Sequence, residues 1–182
     1  MGMGDISLVT RLVMGLLVAA GLVGLVACAS DHDPPPAEPS FYNSLASADA
    51  KVDAGMAASM ISGYRTNNGL SSVLVDPELV KLAQAQAQAM AARDKLEHNV
   101  LGDFNTRMRS SGFDAKVAAE NIGAGYHTLA QAFSGWRDSP PHRKNMLVPG
   151  ATHIGIATAY APGSKYKVFW ALILAAPDRP RG

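Results

Sequence analysis

A glutamate in the middle of an apolar stretch is the first residue of this chain that suggests chemistry. Glu120 lies in the run 117–122, VAAENI, a pattern that predicts a short buried strand. A carboxylate that is buried with such a strand is costly unless hydrogen-bond donors accompany it. His98 upstream and His142 downstream carry imidazoles that can donate to a carboxylate. We therefore hypothesise that His98, Glu120 and His142 form one cluster.

Other roles stay open for these residues. Glu120 could bend toward solvent or accept hydrogen bonds from backbone N–H groups, and the two histidines could then be ordinary structural residues. Pro140 and Pro141 should end the helix that precedes His142, so that rigid backbone directs the imidazole.

Hydrophobic periodicity predicts the elements that position this cluster. Predicted helices lie at about 47–66, 76–95 and 103–110 and from 128 to the prolines, and predicted strands lie at about 118–122, 152–160 and 166–176. The last two strands form a hairpin, and the final strand is apolar on both faces, as a strand covered on both sides would be. We therefore predict an α/β fold, a three-layer α-β-α sandwich with a small, mainly antiparallel sheet between helices.

The helices carry more detailed predictions. Asp76 and Pro77 should begin the second helix as its N-cap and first helical residue. Its glutamines, including Gln86, are expected at the surface or at a seam, while its alanines let a neighbouring layer approach closely. In the first helix, the stripe that should face the core consists of Val52, Met56, Met60 and Tyr64.

The first 27 residues have the pattern of an export signal. Arg11 precedes an apolar run over 12–27 that is too short for a comfortable membrane span and suits a secretory leader. The run leads into the sequence LVAC, which resembles a bacterial lipobox, and Cys28 is the residue that would be acylated. A plain secretory peptide with an incidental Cys28 is the alternative.

These features divide the chain into three segments. We predict a lipoprotein signal peptide at 1–27, an acylated cysteine with a proline-rich tether at 28–43, and one domain at 44–182. More than one acyl chain would make the anchoring to the membrane stable. In a cell that has an outer membrane, the lipobox resemblance implies sorting to that membrane, because Ala29 rather than an acidic residue follows Cys28. The expected location is therefore the periplasmic face of the outer membrane.

Charge and cysteine content exclude some classes of protein. The formal net charge is +1 at pH 7 and the charges are interspersed, so we expect no nucleic-acid partner. Cys28 is the chain's single cysteine, and hence the domain has no disulfide despite its expected oxidising compartment.

Several short sequence words occur here in a fixed order. They are Tyr64-Arg65, Asn68-Gly69-Leu70, Asp76-Pro77-Glu78-Leu79, His98, Ala119-Glu120-Asn121-Ile122, Trp136 followed by SPPHRKNML, and His153-Ile154-Gly155-Ile156-Ala157. In these words the chain resembles the CAP superfamily of cysteine-rich secretory, antigen 5 and pathogenesis-related proteins, also called SCP domains, and in particular its bacterial lipoprotein-type members. The resemblance covers roughly 44–176 and implies an α-β-α sandwich.

The resemblance also implies a cleft with two histidines and two glutamates that can hold a divalent metal such as zinc. His98, Glu120 and His142 match three of these positions, whereas Ser139 takes the place of the second glutamate, with Asp138 beside it. Three protein ligands and a water can still form an open zinc site. His153 is a further candidate for the cleft, although a position at the sheet edge suits it better.

Two classes of function remain, and we favour the first. It is a binding module whose groove takes a lipid, a small hydrophobic molecule or a cell-wall component, as the resemblance implies. The alternative is a metal-dependent hydrolase of peptidase or esterase type, with a metal on His98 and His142 and with Glu120 as base. The domain offers no cysteine and no serine in a nucleophile-elbow motif, which weighs against covalent catalysis. A third reading is an envelope scaffold in which the polar cluster only orients loops.

Overall fold

The computed structural model describes residues 38–179, and the predicted leader and Cys28 lie outside them. In this part of the chain the elements are a 3₁₀ helix (Ser40–Tyr42), α1 (Ala54–Asn67), β1 (Leu74–Val75), α2 (Pro77–Arg93), α3 (Phe104–Ser110), β2 (Ala115–Ala124), α4 (Leu129–Asp138), α5 (Pro140–Met146), β3 (His153–Ala161) and β4 (Lys167–Pro177). None of the helices within 38–179 has the length and apolar character needed to cross a bilayer.

The strands form one sheet in the order β1-β3-β4-β2. β4 pairs antiparallel with β3 and β2, while the two-residue β1 pairs parallel with β3. The stretch of β4 from Val168 to Ala176 is buried because helices cover both faces of the sheet. The predicted fold and the hairpin are confirmed. β1 is an addition, since two residues are too few to show a strand period.

Two apolar clusters, one on each face, hold the helices to the sheet. The first cluster includes Trp136 and Ile154 and packs α1, α4 and α5 against one face. The second cluster includes Met90 and Ala157 and packs α2 and α3 against the other face. Each fully buried large apolar side chain contributes about 1.5–3 kcal/mol. The alternation of strand residues between the two clusters therefore creates the three layers.

Close approach of α2 to the sheet depends on small residues, as predicted. Ala83 and Ala87 of α2 are fully buried. A Cβ atom at Gly155 of β3 would lie 2.1 Å from the backbone carbonyl carbon of Leu79, well inside contact distance. A larger residue at Gly155 would therefore push α2 away from the sheet.

α1 differs from the prediction in its first residue and in which of its faces is buried. Asp53 caps it by accepting a hydrogen bond from the backbone N–H of Met56 at 2.9 Å, so the helix begins at Ala54 rather than near residue 47. The buried face lies next to the predicted stripe, whose Met56, Met60 and Tyr64 are only partly buried. This buried face consists of Ala57, Ala58, Ile61 and Arg65.

Arg65 is fully buried, and its burial is tolerated because its guanidinium donates hydrogen bonds to backbone carbonyl groups. It donates to the carbonyl oxygens of Met146, Val148 and Ala151 at 2.9, 3.0 and 3.0 Å. Burial lowers the pKa of Arg65 from its ordinary value. The residue thus ties α1 to the segment between α5 and β3.

α2 begins as predicted. The Asp76 carboxylate accepts two backbone N–H bonds, at 2.8 and 3.1 Å, and Pro77 is the first helical residue. The expectation for Gln86 was wrong: the side chain is fully buried and donates to the carbonyl oxygens of Glu97 and His98 at 2.9 and 3.1 Å. A glutamine can lie inside when the chain beyond its helix turns back and offers acceptors.

Trp136 provides a test of this packing. It is 1% exposed, its ring meets that of Trp170 edge-on with centroids 6.1 Å apart, and its Nε1 donates to the carbonyl of Ile122 at 3.2 Å. We expect Trp136→Ala to lower the free energy of unfolding by about 3–5 kcal/mol in urea melts followed by circular dichroism. Tyr42→Ala is the control, because Tyr42 is 55% exposed, and it should cost less than about 1 kcal/mol. An equally small loss for Trp136→Ala would contradict the packing.

Candidate functional site

Glu120 lies in β2, which is an edge strand of the sheet, and its side chain is 2% exposed. Because side chains alternate along a strand, Glu120 shares a face with Ala118 and Ile122, and this face packs in the cluster of α2 and α3. The same layer supplies two donors to the carboxylate. One is Arg107 from α3, and the other is His98 from the connection between α2 and α3.

Arg107 contacts both carboxylate oxygens of Glu120. Its Nη2 lies 3.0 Å from Oε1 and 2.9 Å from Oε2 of the carboxylate, and 3.1 Å from the carbonyl oxygen of His98. Its Nε donates to the carbonyl of Gly102 at 3.3 Å. The Arg107 side chain is 8% exposed, so this is a buried ion pair, and loss of one partner would leave an uncompensated charge.

His98 forms the outer side of the cluster. Its Nδ1 lies 2.8 Å from Oε1 of Glu120, and its side chain is half exposed. An ionised carboxylate only accepts hydrogen bonds, so Nδ1 carries the proton and Nε2 is left for solvent or a ligand. The carbonyl of His98 receives hydrogen bonds from Gln86 and Arg107, which fixes the backbone beneath the imidazole.

His142 lies on a helix, which corrects the role expected for the prolines. α4 ends at Asp138, Ser139 is extended, and Pro140 then begins α5 instead of only terminating α4. Proline suits the first helical position because it lacks an N–H that would have no partner there. His142 therefore occupies the first turn of α5, with its Nδ1 2.9 Å from Ser139 Oγ.

Two asparagines connect β2 to α5. Asn145 donates to the carbonyl oxygen of Glu120 and to Oδ1 of Asn121, both at 2.9 Å. Asn121 in turn donates to the carbonyl oxygen of His142 at 2.9 Å. The edge of β2 is thus satisfied by side chains of the helical layer, and α5 is held beside the strand. These bonds place α5, which carries His142, against the backbone of β2 at Glu120 and Asn121.

The accessory candidates are placed differently. Ser139 contacts His142, whereas Asp138 forms an exposed ion pair with Arg137 at 2.8 Å, which lowers the pKa of Asp138 from its ordinary value. Nδ1 of His153 lies 2.8 Å from Thr152 Oγ1, and its ring stands edge-on to that of Phe113 with centroids 6.3 Å apart. Cys28 lies outside the described residues.

The side chains at this site do not form a ready set of ligands for a divalent metal. Within residues 38–179, no three His, Cys, Asp or Glu side chains are placed to hold one metal ion. The contacts show a physical reason, since both carboxylate oxygens of Glu120 are taken by Arg107 and one of them also by His98. His98 and His142 each keep one ring nitrogen outside these hydrogen bonds. The divalent metal stays a prediction.

Arg107 is the site residue that sequence reasoning missed. The signal was present, because Phe104, Arg107 and Met108 stand at i, i+3 and i+4 and so share one face of α3. The guanidinium also lies 5.4 Å from the centroid of the Phe104 ring, a cation–π distance. A basic residue on the apolar face of a short helix indicates a buried acidic partner elsewhere in the chain.

His142 should titrate below its ordinary pKa. Burial, and after it the charge of nearby His98, lower the pKa of His142 from 6.5. Because the folded state holds the proton less tightly than the unfolded state, this group's contribution to stability is present above pH 6.5 and falls as the pH drops below it. NMR titration of the imidazole signals should show the low pKa, and His98→Ala should raise it. His153→Ala, the control, should leave it unchanged. A wild-type His142 that titrates at or above the ordinary value would contradict the arrangement.

The chain is similar in sequence to a known protein family and to two bacterial proteins. It matches the CAP family, described as the cysteine-rich secretory protein family, over residues 58–174. It is 33% identical over 125 residues to the protein YkwD of Bacillus subtilis, with 66% of this chain and 49% of YkwD covered. It is 28% identical over 94 residues to the membrane protein YlbC of the same organism, with 50% of this chain and 27% of YlbC covered. The matched part of this chain thus spans about half of the length of YkwD and about a quarter of the length of YlbC.

Solved structures give the same fold. An extracellular protein of Bacillus anthracis that contains an SCP domain aligns with a TM-score of 0.58 at 22% identity, over 66% of this chain and 39% of that one. An outer surface protein of Borrelia burgdorferi aligns with a TM-score of 0.62 at 17% identity, over 71% of this chain and 98% of that one. The match to the CAP family extends over more than half of this chain, and the chain therefore belongs to the CAP, or cysteine-rich secretory protein, family.

Proposed function

We propose that this chain is an envelope-anchored binding protein that holds a lipid, a small hydrophobic molecule or a cell-wall component without transforming it. The proposal rests on the contacts of Glu120, whose carboxylate is bound by both Arg107 and His98. A general base needs a lone pair that is free to accept a proton from substrate or water. Glu120 instead uses its oxygens to hold the walls of the cleft together.

A metal-dependent hydrolase is the alternative. The Glu120 side chain is 2% exposed and both its carboxylate oxygens accept hydrogen bonds from Arg107, so water has little access to it as a base, which argues against this function. One contact supports it: Ser139 Oγ lies 2.9 Å from His142 Nδ1, and a hydroxyl within reach of an imidazole is the minimum for a nucleophile and base pair. Ser139 is the N-cap residue of α5, but its side chain makes no capping hydrogen bond to the helix, and its contact is with His142.

A divalent metal such as zinc would be held by the imidazoles of His98 and His142, with water or ligand atoms completing its coordination. Glu120 would then orient His98 from behind, in the way that carboxylates commonly hold metal-binding histidines. A bound zinc ion would supply a Lewis acid for an oxygen atom of the ligand. Two protein ligands make a weaker site than three or four.

An apolar pocket next to the cluster supports a hydrophobic ligand. A cavity of about 280 Å³ lies between α2 and α3 and includes Arg107 in its wall together with Leu82, Ala85, Leu101, Ser110 and Ser111. Leu101 is 43% exposed, which leaves an apolar side chain at the rim. Pockets of this kind, with apolar walls and a few polar groups, are typical of small-molecule sites.

The proposed location combines the leader with the relatives. The run before Cys28 has the pattern of a lipoprotein signal. The similar proteins of B. anthracis and B. burgdorferi are described as an extracellular protein and an outer surface protein. We propose that this chain is exported, and that acyl groups on Cys28 hold the domain at the periplasmic face of the outer membrane.

Binding at the α2–α3 pocket can be tested with an apolar fluorescent probe, anilinonaphthalene sulfonate. We expect Leu101→Glu to weaken probe binding to the purified protein about tenfold, because the new carboxylate disrupts the apolar wall. Leu74→Glu adds the same charge at a residue that is 69% exposed in β1, and it should leave binding unchanged.

Equal effects of the two substitutions would contradict the pocket. Hydrolysis of a peptide or ester substrate by the purified protein that disappears in Glu120→Gln would replace the binding function with the hydrolase alternative.

Anchoring has its own test. Cells fed a labelled fatty acid should incorporate label into the wild-type protein and none into Cys28→Ser, because the thiol is the group that is acylated. The variant should also move from the membrane fraction to the soluble periplasmic fraction. A wild-type protein that carries no label would exclude the lipid anchor and leave a plain secretory peptide.

A further inference from the structure

We infer that Arg107 is the resident cation at Glu120: its guanidinium fills the position from which a metal ion would contact the carboxylate, so that Glu120 is not a metal ligand in the wild-type protein. Nη2 of Arg107 is surrounded by three oxygen atoms, Oε1 and Oε2 of Glu120 and the carbonyl oxygen of His98, at 3.0, 2.9 and 3.1 Å. A fourth polar atom, His98 Nδ1, lies 2.8 Å from Oε1.

This set of atoms is one that a cation would use. Carboxylate oxygens on their chelating edge and a backbone carbonyl are ligands for divalent ions, and an imidazole extends the choice to zinc. Here a single guanidinium nitrogen occupies the chelating edge of the carboxylate. A divalent ion placed against the same oxygens would meet the positive charge of Arg107 at contact distance, and in a buried site that repulsion is weakly screened.

Arg107 has little freedom to leave this position. Its side chain is 8% exposed, its Nε is bonded to the carbonyl of Gly102, and the Phe104 ring lies beside the guanidinium. The guanidinium therefore stays paired with Glu120, whatever the metal content of the compartment. The inference goes beyond the proposed function, because it makes Arg107 the residue that decides which ligands the cleft accepts. The ligands that Arg107 favours are neutral or anionic groups, and it excludes a divalent cation from Glu120.

The test measures zinc binding by isothermal titration calorimetry in four proteins. Arg107→Met removes the charge while keeping much of the side chain's volume, and it should bind zinc at least about tenfold more tightly than the wild type. Arg107→Lys keeps the charge and should show no gain. The double variant Arg107→Met/Glu120→Gln should lose the gain, because the carboxylate is the ligand that the first substitution frees. A folded Arg107→Met protein with wild-type zinc affinity would overturn the inference.

Arg107→Met leaves a buried carboxylate without its main partner, which lowers the stability of the fold. A second measurement therefore keeps Arg107 in place. It uses His98→Ala, which removes the imidazole that would carry the effect of a zinc ion to Glu120; in this variant the side-chain carboxyl carbon of Glu120 should keep its NMR chemical shift when zinc chloride is added. A shift of this signal would make Glu120 a metal ligand and overturn the inference. Failure of the probe-binding test above would leave both of these results unaffected, so the two proposals fail separately.

Discussion

The burial of one carboxylate is the constraint on which the site and its surroundings depend. Glu120 is nearly inaccessible in an edge strand, and its charge requires donors from the layer above. Arg107 meets this need from α3, a helix of only seven residues that is too short to be stable alone. The ion pair therefore both neutralises the carboxylate and holds α3 and the loop around His98 against the sheet.

The free edge of β2 explains why the layer of α4 and α5 also contacts the strand that carries Glu120. An edge strand leaves backbone carbonyls that need donors, and here Asn145 serves the carbonyl of Glu120 while Trp136 serves that of Ile122. These two hydrogen bonds hold α4 and α5 at the edge of β2, and α5 carries His142. Hydrogen bonds from the helices to the edge of β2 thus hold residues of α4 and α5 beside the strand that carries Glu120.

The domain achieves this without disulfides, since the chain's single cysteine is Cys28. Buried polar groups act as cross-links instead. Arg65 joins α1 to the segment after α5 through three carbonyls, and Gln86 joins α2 to the chain around His98. Such groups are stabilising only when their hydrogen bonds are made, so they specify one arrangement of the loops in addition to holding it.

Local chemistry in the sequence determined much of the fold: the cap and proline that begin α2, the hairpin of β3 and β4, and the small residues that let α2 approach the sheet. It also indicated that a buried Glu120 needs a donor such as His98. Only the tertiary structure decided that Arg107 is the main partner and that the prolines place His142 on a helix. Periodicity reports which face of an element is apolar, whereas an ion pair between residues far apart in the chain depends on how α3 crosses β2, and that crossing is set by the packing of the whole domain.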